Sequence, residues 1–336
     1  MKKLVIFVAA MLVLGALAAG GVLVYLGGAV DSPGSGEGAV VFTVPKGSHA
    51  TAVGKLLQAE GLIGDVRVWR YHVKRRGGLE LKAGRFELQR SMSMRELAAA
   101  LEGNPMPEDV PFKMLEGWRL RDTDAALVEQ GWIKPGDYIK AASTPARFKA
   151  PFELPAKTLE GFLYPETYAV VPEPFELESL IQRQLDTFVE RFYQAHAKEI
   201  ADSERSLHEI VNMASMLERE EPTPAQRPLV AGILWKRIDN NTPLGVDATS
   251  RYQLVEWNDR KEFLKNLRDQ ADPYNSRYQK GLPPTPIGAP TVDSLVAALR
   301  PKANPYWYYL HDSNKVLHPS KNAAEHEALR KKYNVY

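Results

Sequence analysis

The sequence predicts an α+β protein with an N-terminal transmembrane helix, a small α+β module and a larger mixed α+β domain. Three observations support this class: an uncharged apolar N-terminus, a glycine-rich segment after it, and alternating strand-like and helix-like hydrophobic patterns in the remainder. The chain has 336 residues, of which 44% are hydrophobic and 25% charged. This is the balance of a folded protein with about two domains.

The N-terminus predicts a membrane anchor. Two lysines precede an uncharged stretch, residues 4–26, which as a helix at about 1.5 Å per residue would extend roughly 34 Å. Because basic residues stay on the cytoplasmic side, residues 1–3 are expected in the cytoplasm and the main body outside it. The predicted location is the inner (plasma) membrane, with one pass through the lipid bilayer and a periplasmic or extracytoplasmic main body. A cleaved signal peptide is the alternative, since Ala-Leu-Ala at 16–18 fits a cleavage pattern.

The segment after the anchor predicts a linker and a compact module. Residues 27–38 contain five glycines, which is typical of a flexible linker. The module covers residues 39–104, and its pattern predicts a strand over 40–44, helices over 49–60 and 66–73, and a strand near 81–88. Ser93 and Glu96 form a capping box that starts a further helix.

The larger domain covers residues 105–336, and its first part repeats a short residue pattern of the module. Five residues recur 70 positions later, namely Phe42, Gly47, Leu57, Gly61 and Ile63 as Phe112, Gly117, Leu127, Gly131 and Ile133. Either a true repeat or two similar strand-turn-helix pieces would produce this match. Apolar spacing then predicts helices over 175–200 and 229–238. The aromatic run 306–309 predicts a core strand, with stacking on sugar rings as the alternative.

One glutamate lies on the apolar face of a predicted helix. Ser206 and Glu209 form a capping box, after which the apolar residues follow one stripe. With Leu207 at zero and about 100° per residue, Glu218 falls near 20°, inside the stripe, whereas Glu220 falls near 220°, on the opposite face. Burial raises the pKa of a carboxyl group, as a general acid near neutral pH requires. Glu218 is therefore the predicted acid, and Glu220 is predicted at the surface.

A structural role for Glu218 is the alternative. In that case it would be a partly buried carboxylate paired with an arginine such as Arg237 or Arg251. Glu221 also falls on the apolar stripe, but it directly precedes Pro222, where the helix is expected to end.

Several other chemistries are excluded by composition and motifs. The chain contains no cysteine, which excludes disulfides, thiolate catalysis and cysteine-ligated metals. Its seven histidines form no close pair of metal ligands, and the sequence lacks the common serine-hydrolase, zinc-protease and P-loop motifs. With 43 basic and 41 acidic residues, the formal charge of +2 gives no general attraction for nucleic acid. We expect no metal, no cofactor and no nucleic-acid partner.

Four sequence blocks resemble one known family. They are Ala-Ser-Met-Leu-Glu-Arg-Glu at 214–220, Leu-Glu-Gly-Phe-Leu-Tyr-Pro-Glu-Thr-Tyr at 159–168, Pro-Tyr-Asn-Ser at 273–276 and Gly-Leu-Pro-Pro-Thr-Pro-Ile at 281–287. In type and order they resemble the signature blocks of the YceG-like endolytic murein transglycosylases. The resemblance implies that residues 39–104 are a LysM-like glycan-binding module and residues 105–336 the catalytic domain.

The resemblance also implies a substrate and a reaction. The substrate would be the glycan strand of nascent peptidoglycan, cut within the chain between N-acetylmuramic acid and N-acetylglucosamine. Glu218 matches the catalytic glutamate: it would protonate the glycosidic oxygen and then deprotonate the muramic acid 6-hydroxyl, which closes a 1,6-anhydro ring. One carboxylate suffices because the nucleophile is intramolecular. Peptidoglycan synthases are the implied protein partners.

Five further residues match positions of the family blocks and are candidates for supporting or substrate-binding roles, namely Glu220, Asp247, Thr249, Tyr274 and Asn275. Solvation, turn capping and core packing are the ordinary structural roles for these residue types. The chain departs from the family pattern at Lys236, Gly245, Val246 and Arg277, where Asn, Gln, Ser or Thr, and Tyr are usual.

Two other functions stay open from the sequence. A muramidase that uses water would need a second carboxylate about 5–9.5 Å from the first. A non-catalytic scaffold that tethers the cell wall to the membrane would have Glu218 in an ion pair and inaccessible.

Overall fold

The computed structural model describes residues 25–335 and the isolated residues 11, 14, 17, 20 and 21. The predicted membrane anchor, residues 4–26, therefore lies mostly outside the described residues. Among those that are described, no helix is both long and apolar enough to cross a bilayer. Contacts divide the chain into two compact units, residues 1–108 and 109–336.

Unit 1 contains a two-stranded antiparallel sheet covered by helices. Its elements are β1 (Ala39–Val44), α1 (Ala50–Ala59), α2 (Val66–Arg75), β2 (Gly84–Gln89) and α3 (Met94–Glu102). The predicted order of strand, two helices and strand is confirmed. Phe42 of β1 lies opposite Phe86 of β2, and both rings are buried. The predicted capping box of Ser93 and Glu96 is present at the start of α3.

The predicted flexible linker, residues 27–38, is partly helical and packed. Residues 25–31 are helical, and Val30, only 3% exposed, lies in the core of unit 1. Arg95 of α3 pairs with Asp31 at 2.6 Å. Glycine content predicted flexibility here, but a buried valine and an ion pair fix the first part of the segment.

Unit 2 is a mixed helical and strand structure. Its strands are β3 (Val110–Lys113), β4 (Thr167–Val170), β5 (Tyr308–His311) and β6 (Leu317–Ser320). The helices up to the centre of the unit are α4 (Leu120–Glu129), α5 (Asp137–Ala142), α6 (Leu177–Phe188), α7 (Gln194–Ala201) and α8 (Leu207–Glu220). The others are α9 (Arg227–Asp239), α10 (Asp247–Arg251), α11 (Arg260–Asn266), α12 (Val292–Leu299) and α13 (Ala323–Tyr333).

The four strands of unit 2 form two separate two-stranded sheets. β3 pairs with β4 and β5 pairs with β6, and both pairs are antiparallel. The helix predicted over 175–200 is observed as α6 and α7 joined by a π-helical turn, Val189–Tyr193. Single 3₁₀ turns occupy Pro145–Arg147 and Pro224–Gln226. The mixed α+β class predicted for this domain is thus confirmed. The strand predicted over 306–309 is observed as β5, which begins two residues later at Tyr308.

Helix α8 is the central element of unit 2. Its predicted capping box is present, and every residue from Ile210 to Leu217 is buried. The helix packs against α12 on one side and also contacts α9 and α10. Because neighbours surround α8, polar residues such as Asn212 are buried along with the predicted apolar stripe. The single-stripe pattern therefore underestimates how much of this helix is covered.

The 70-residue echo corresponds to equivalent local structure. Helices α1 and α4 begin at residues 50 and 120. Gly47 and Gly117 precede them with φ of 75° and 73°, a left-handed conformation that glycine adopts without steric cost. Leu57 and Leu127 are fully buried in the two units. The echo is thus a repeated strand-turn-helix pattern at the structural level.

Candidate active site

Glu218 lies in a buried ion pair. Arg227 donates from Nη1 to Oε2 and from Nη2 to Oε1, both at 3.1 Å. The two side chains are 8% and 7% exposed. Thr291 donates to Oε2 as well, from its backbone nitrogen at 2.9 Å and from its hydroxyl at 2.7 Å. The interior position predicted for Glu218 is confirmed, but its partner is Arg227 and not Arg237 or Arg251.

This ion pair joins three helices. Glu218 is near the C-terminus of α8, Arg227 is the first residue of α9, and Thr291 is the N-cap of α12. Arg227 also donates from Nε to the backbone oxygen of Glu221 at 3.0 Å. These charge-assisted hydrogen bonds fix the Glu218 carboxylate where the three helices meet.

Glu220, in contrast, lines an open cleft. The cleft has a volume of about 390 Å³, and Glu218 is not among its lining residues. The backbone nitrogen of Ala248 donates to Oε1 of Glu220 at 3.2 Å, and the hydroxyl of Tyr309 donates to Oε2 at 3.3 Å. Glu220 therefore lies on the face of α8 opposite Leu207, as predicted, but is partly covered and not freely solvated. The helical wheel omitted β5 and α10, which cover this face of α8.

The surroundings of Glu220 raise the pKa of its carboxyl group above the ordinary value for glutamate. Burial, followed by the negative charge of Asp247, raises the pKa of Glu220 to about 6. The hydrogen bond from Ala248, the charge of His311 and the Tyr309 hydroxyl each lower that pKa and oppose the shift. A carboxyl group that titrates near neutral pH and faces a cleft has the properties of a general acid and base.

Asp247 is a second carboxylate in the same cleft, but it has a partner. Arg277 donates to Oδ1 of Asp247 from Nε at 3.1 Å and from Nη2 at 2.6 Å. Both side chains are about half-exposed. The structure thus brings together two of the predicted site residues, Glu220 and Asp247, along one cleft.

The other predicted site residues lie elsewhere. The hydroxyl of Thr249 is buried and donates to the backbone oxygen of Val246 at 2.8 Å. Asn275, which is fully buried, donates from Nδ2 to the backbone oxygens of Asn266 and Asp269 at 2.9 Å. Its neighbour Tyr274 shares a hydrogen bond with Thr285, and its ring contacts that of Tyr252 at a tilt, with the centroids 4.7 Å apart. None of the three lines the Glu220 cleft, and their contacts are structural.

Strand β5 supplies two residues that the sequence analysis missed. Tyr309 and His311 lie two positions apart and therefore on one face of the strand. Tyr309 contacts Glu220, and Nε2 of His311 lies 3.0 Å from Oε2 of the buried Glu221. The sequence predicts core packing for the run 306–309, and the contact between Tyr309 and Glu220 joins segments too distant in sequence to be predicted from spacing. In the described part of the chain, no three acidic or histidine side chains are grouped to hold a metal.

Comparison with known proteins agrees with the family resemblance of the sequence blocks at 159–168, 214–220, 273–276 and 281–287. The model of the YceG-like family matches residues 42–332. The chain belongs to the YceG-like family. A Bacillus subtilis (strain 168) protein named endolytic murein transglycosylase is 26% identical over 310 residues, which cover 88% of this chain and 84% of that protein. A Streptococcus pneumoniae (strain D39) protein of the same name is 25% identical over 322 residues, 85% of this chain and 58% of that protein.

A solved structure shows the same fold. The crystal structure of a YceG-like protein from Listeria monocytogenes superposes with a TM-score of 0.58 at 24% sequence identity. The match covers 88% of this YceG-like chain and all of the Listeria chain.

Proposed function

We propose that this YceG-like chain is an endolytic murein transglycosylase. It cleaves the bond between N-acetylmuramic acid and N-acetylglucosamine within nascent peptidoglycan strands and leaves 1,6-anhydro ends. The observation that carries the proposal is family membership over residues 42–332, with relatives of that name matching most of the chain. The Glu220 cleft supplies the chemistry that such a reaction needs.

We assign the acid and base role to Glu220. As acid, Glu220 protonates the glycosidic oxygen; as base, it then accepts the proton of the muramic acid 6-hydroxyl, which attacks the anomeric carbon. A pKa of about 6 supports both steps, because the protonated and charged forms are each accessible near neutral pH. Glu218, the residue predicted from the sequence, is disfavoured because its carboxylate is paired with the Arg227 guanidinium, whereas Glu220 accepts from the uncharged Ala248 nitrogen and Tyr309 hydroxyl. Its structural role also means that an ion-paired Glu218 does not by itself indicate a non-catalytic scaffold.

A water-dependent muramidase is the second candidate. Asp247 lines the same cleft as Glu220, and a hydrolase of this type needs a second carboxylate. Arg277, however, donates two hydrogen bonds to Oδ1 of Asp247 and so occupies that oxygen. With one oxygen engaged by Arg277, Asp247 has fewer positions from which to activate water, which favours the intramolecular reaction.

The proposal extends to the N-terminal part of the chain. We propose that residues 4–26 anchor the protein in the inner membrane, with the N-terminus in the cytoplasm and both units outside it. The two lysines and the uncharged stretch that follows support this topology. Unit 1 is proposed to be a LysM-like glycan-binding module, which its strand-helix-helix-strand order supports. Peptidoglycan synthases are proposed as partners on the family resemblance alone.

Product analysis tests the proposal. Full-length protein in detergent, as wild type, Glu220→Gln and Glu218→Gln, is incubated with uncrosslinked glycan strands, and new ends are identified by mass spectrometry. We expect 1,6-anhydro ends from wild type and Glu218→Gln and none from Glu220→Gln. Reducing ends one water heavier would establish the muramidase instead. Activity in Glu220→Gln, together with its loss in folded Glu218→Gln, would return the catalytic role to Glu218.

A further inference from the structure

The Glu220 cleft contains an arginine without a carboxylate partner. Arg237 of α9 is partly buried, donating from Nε to the backbone oxygen of Trp307 at 2.8 Å and from Nη1 to that of Leu244 at 2.5 Å. Its guanidinium lies 5.0 Å from the centre of the Tyr308 ring. Among the described residues, no aspartate or glutamate forms an ion pair with it. Burying a charge without a counter-ion is costly, so this position favours an external anion.

A glycine leaves this arginine uncovered. Gly245 also lines the cleft, and a Cβ atom placed on it would lie 3.6 Å from Nη1 of Arg237. This is one of the positions where the chain departs from its family pattern, in which glutamine is usual. A Cβ atom at this position would already be in van der Waals contact with the guanidinium, whereas glycine leaves that space open.

The other charged residues that line the cleft do not neutralise Arg237. Asp247 is paired with Arg277, whose Nη1 is bonded to no described residue. Arg330 lines the cleft as well; its Nε donates to the backbone oxygen of Val335 at 3.3 Å and its Nη1 lies 3.4 Å from Oε2 of Glu327. The cleft also contains His311, held by Glu221, and His326, whose ring stacks on Tyr308. Glu220 is the one carboxylate of this lining without a cationic partner in hydrogen-bond contact.

We propose that Arg237, left uncovered by Gly245, forms a carboxylate-binding subsite beside Glu220 that receives the acidic substituent of muramic acid. The inference rests on the proposed function, because it concerns the substrate of the same cleft. Muramic acid differs from glucosamine by a lactyl ether, which ends in a free carboxylate or in a peptide stem that carries carboxylates. Either source supplies the planar anion that a guanidinium binds through two hydrogen bonds. The subsite would place the muramic acid ring, and not glucosamine, next to the acid.

Binding measurements on the full-length Glu220→Gln protein test the subsite without cleavage. The probes are three tetrasaccharides: neutral chitotetraose, stem-free glucosamine-muramic acid, and the same sugar with peptide stems. At least one carboxylate-bearing probe is expected to bind about tenfold more tightly than chitotetraose, the effect of one charge-assisted hydrogen bond. The probe that binds more tightly than chitotetraose identifies whether the carboxylate comes from the lactyl group or from the peptide stem. Equal affinity for all three probes would overturn the inference.

Two variants in the Glu220→Gln background localise the effect. Arg237→Gln removes the charge, and Gly245→Asn covers it with a residue that tolerates the left-handed φ of 63° at this position. Both are expected to lose the preference for carboxylate-bearing probes while chitotetraose affinity stays within about twofold. If Arg237→Gln fails to fold, Gly245→Asn decides alone. A preference retained in folded variants would contradict the subsite, whereas failure of the proposed function would appear separately, as absence of cleavage by wild type.

Discussion

Glu218 and Arg227 face each other in a two-point ion pair, with Oε1–Nη2 and Oε2–Nη1 distances of 3.1 Å. The pair holds the end of α8 against the start of α9, and Thr291 adds the N-terminus of α12. Two residues further along α8, Glu220 faces a cleft with no such partner. One short segment of α8 thus carries two carboxylates in different surroundings, one in an ion pair and one facing a cleft.

Loss of the Glu218 carboxylate should reduce stability more than activity. Glu218→Gln leaves the buried Arg227 guanidinium without a counter-charge, which typically costs about 3–5 kcal/mol. For a unit of this size we expect the thermal midpoint to fall by roughly 6–20 °C. Cleavage per folded molecule, measured well below the new midpoint, should remain near wild type.

A double variant provides the control. Arg227→Gln in the Glu218→Gln background removes the unpaired charge, so part of the lost stability should return. If Glu218→Gln keeps the wild-type midpoint and loses only cleavage, the ion pair is not structural.

The pH dependence of cleavage should report the titration of Glu220. Its first step needs the protonated carboxyl group, so kcat/KM should fall as the pH rises through about 6, the pKa of Glu220. Asp247→Asn removes the negative charge that raises this pKa and releases the positive charge of Arg277. The falling limb should therefore move to lower pH. The measurement is kcat/KM against pH for both proteins.

Tyr309→Phe gives the opposite shift. The Tyr309 hydroxyl lowers the pKa of Glu220, so its removal should move the falling limb to higher pH. Shifts of the same sign in Asp247→Asn and Tyr309→Phe would show that another group controls the profile.

The sequence predicted local structure well and burial less well. The capping box of Ser206 and Glu209 fixed the start of α8, because capping depends only on residues three positions apart. The interior position of Glu218 followed from helical spacing in the same way. The cleft around Glu220 did not, since it is built by β5 from about 90 residues further along the chain. Such contacts between distant segments leave no periodic signal in a single sequence.

Stability should depend on pH through the buried Glu160. Both of its oxygens accept from the backbone nitrogen of Leu120, and Tyr252 donates to Oε2 at 2.9 Å. Burial raises the pKa of Glu160 to about 7 from an ordinary 4.5, so the folded state binds its proton more tightly than the unfolded state. Stability from this group is therefore present at low pH and lost between about pH 4.5 and 7.

Glu160→Gln should remove this dependence. Relative to the variant, wild type should lose roughly 1–3 kcal/mol between pH 5 and pH 8. Thermal midpoints of the two proteins at both pH values provide the measurement. Glu220 titrates in the same direction in both proteins, so only the difference between them reports on Glu160. Parallel pH profiles would mean that Glu160 stays protonated or charged throughout.

Gly232 should be intolerant of even a methyl group, against the usual preference of helices. It lies inside α9, where alanine normally stabilises by about 1 kcal/mol relative to glycine. Here, however, a Cβ atom would lie 2.1 Å from the backbone oxygen of Lys302, and a backbone atom cannot rotate away. The segment that contains Lys302 is itself fixed, because Lys236 donates to the backbone oxygens of Asn304 and Tyr306.

We therefore expect Gly232→Ala to destabilise unit 2 by about 1–3 kcal/mol, because overpacking outweighs the gain in helix propensity. The thermal midpoint should fall by roughly 2–12 °C. Gly64→Ala is the matched control, since nothing lies within 4 Å of a Cβ atom there and its φ is not left-handed. That variant should stay within about 0.5 kcal/mol of wild type. An increase in midpoint for Gly232→Ala would show that the segment at Lys302 moves away from α9 at little cost.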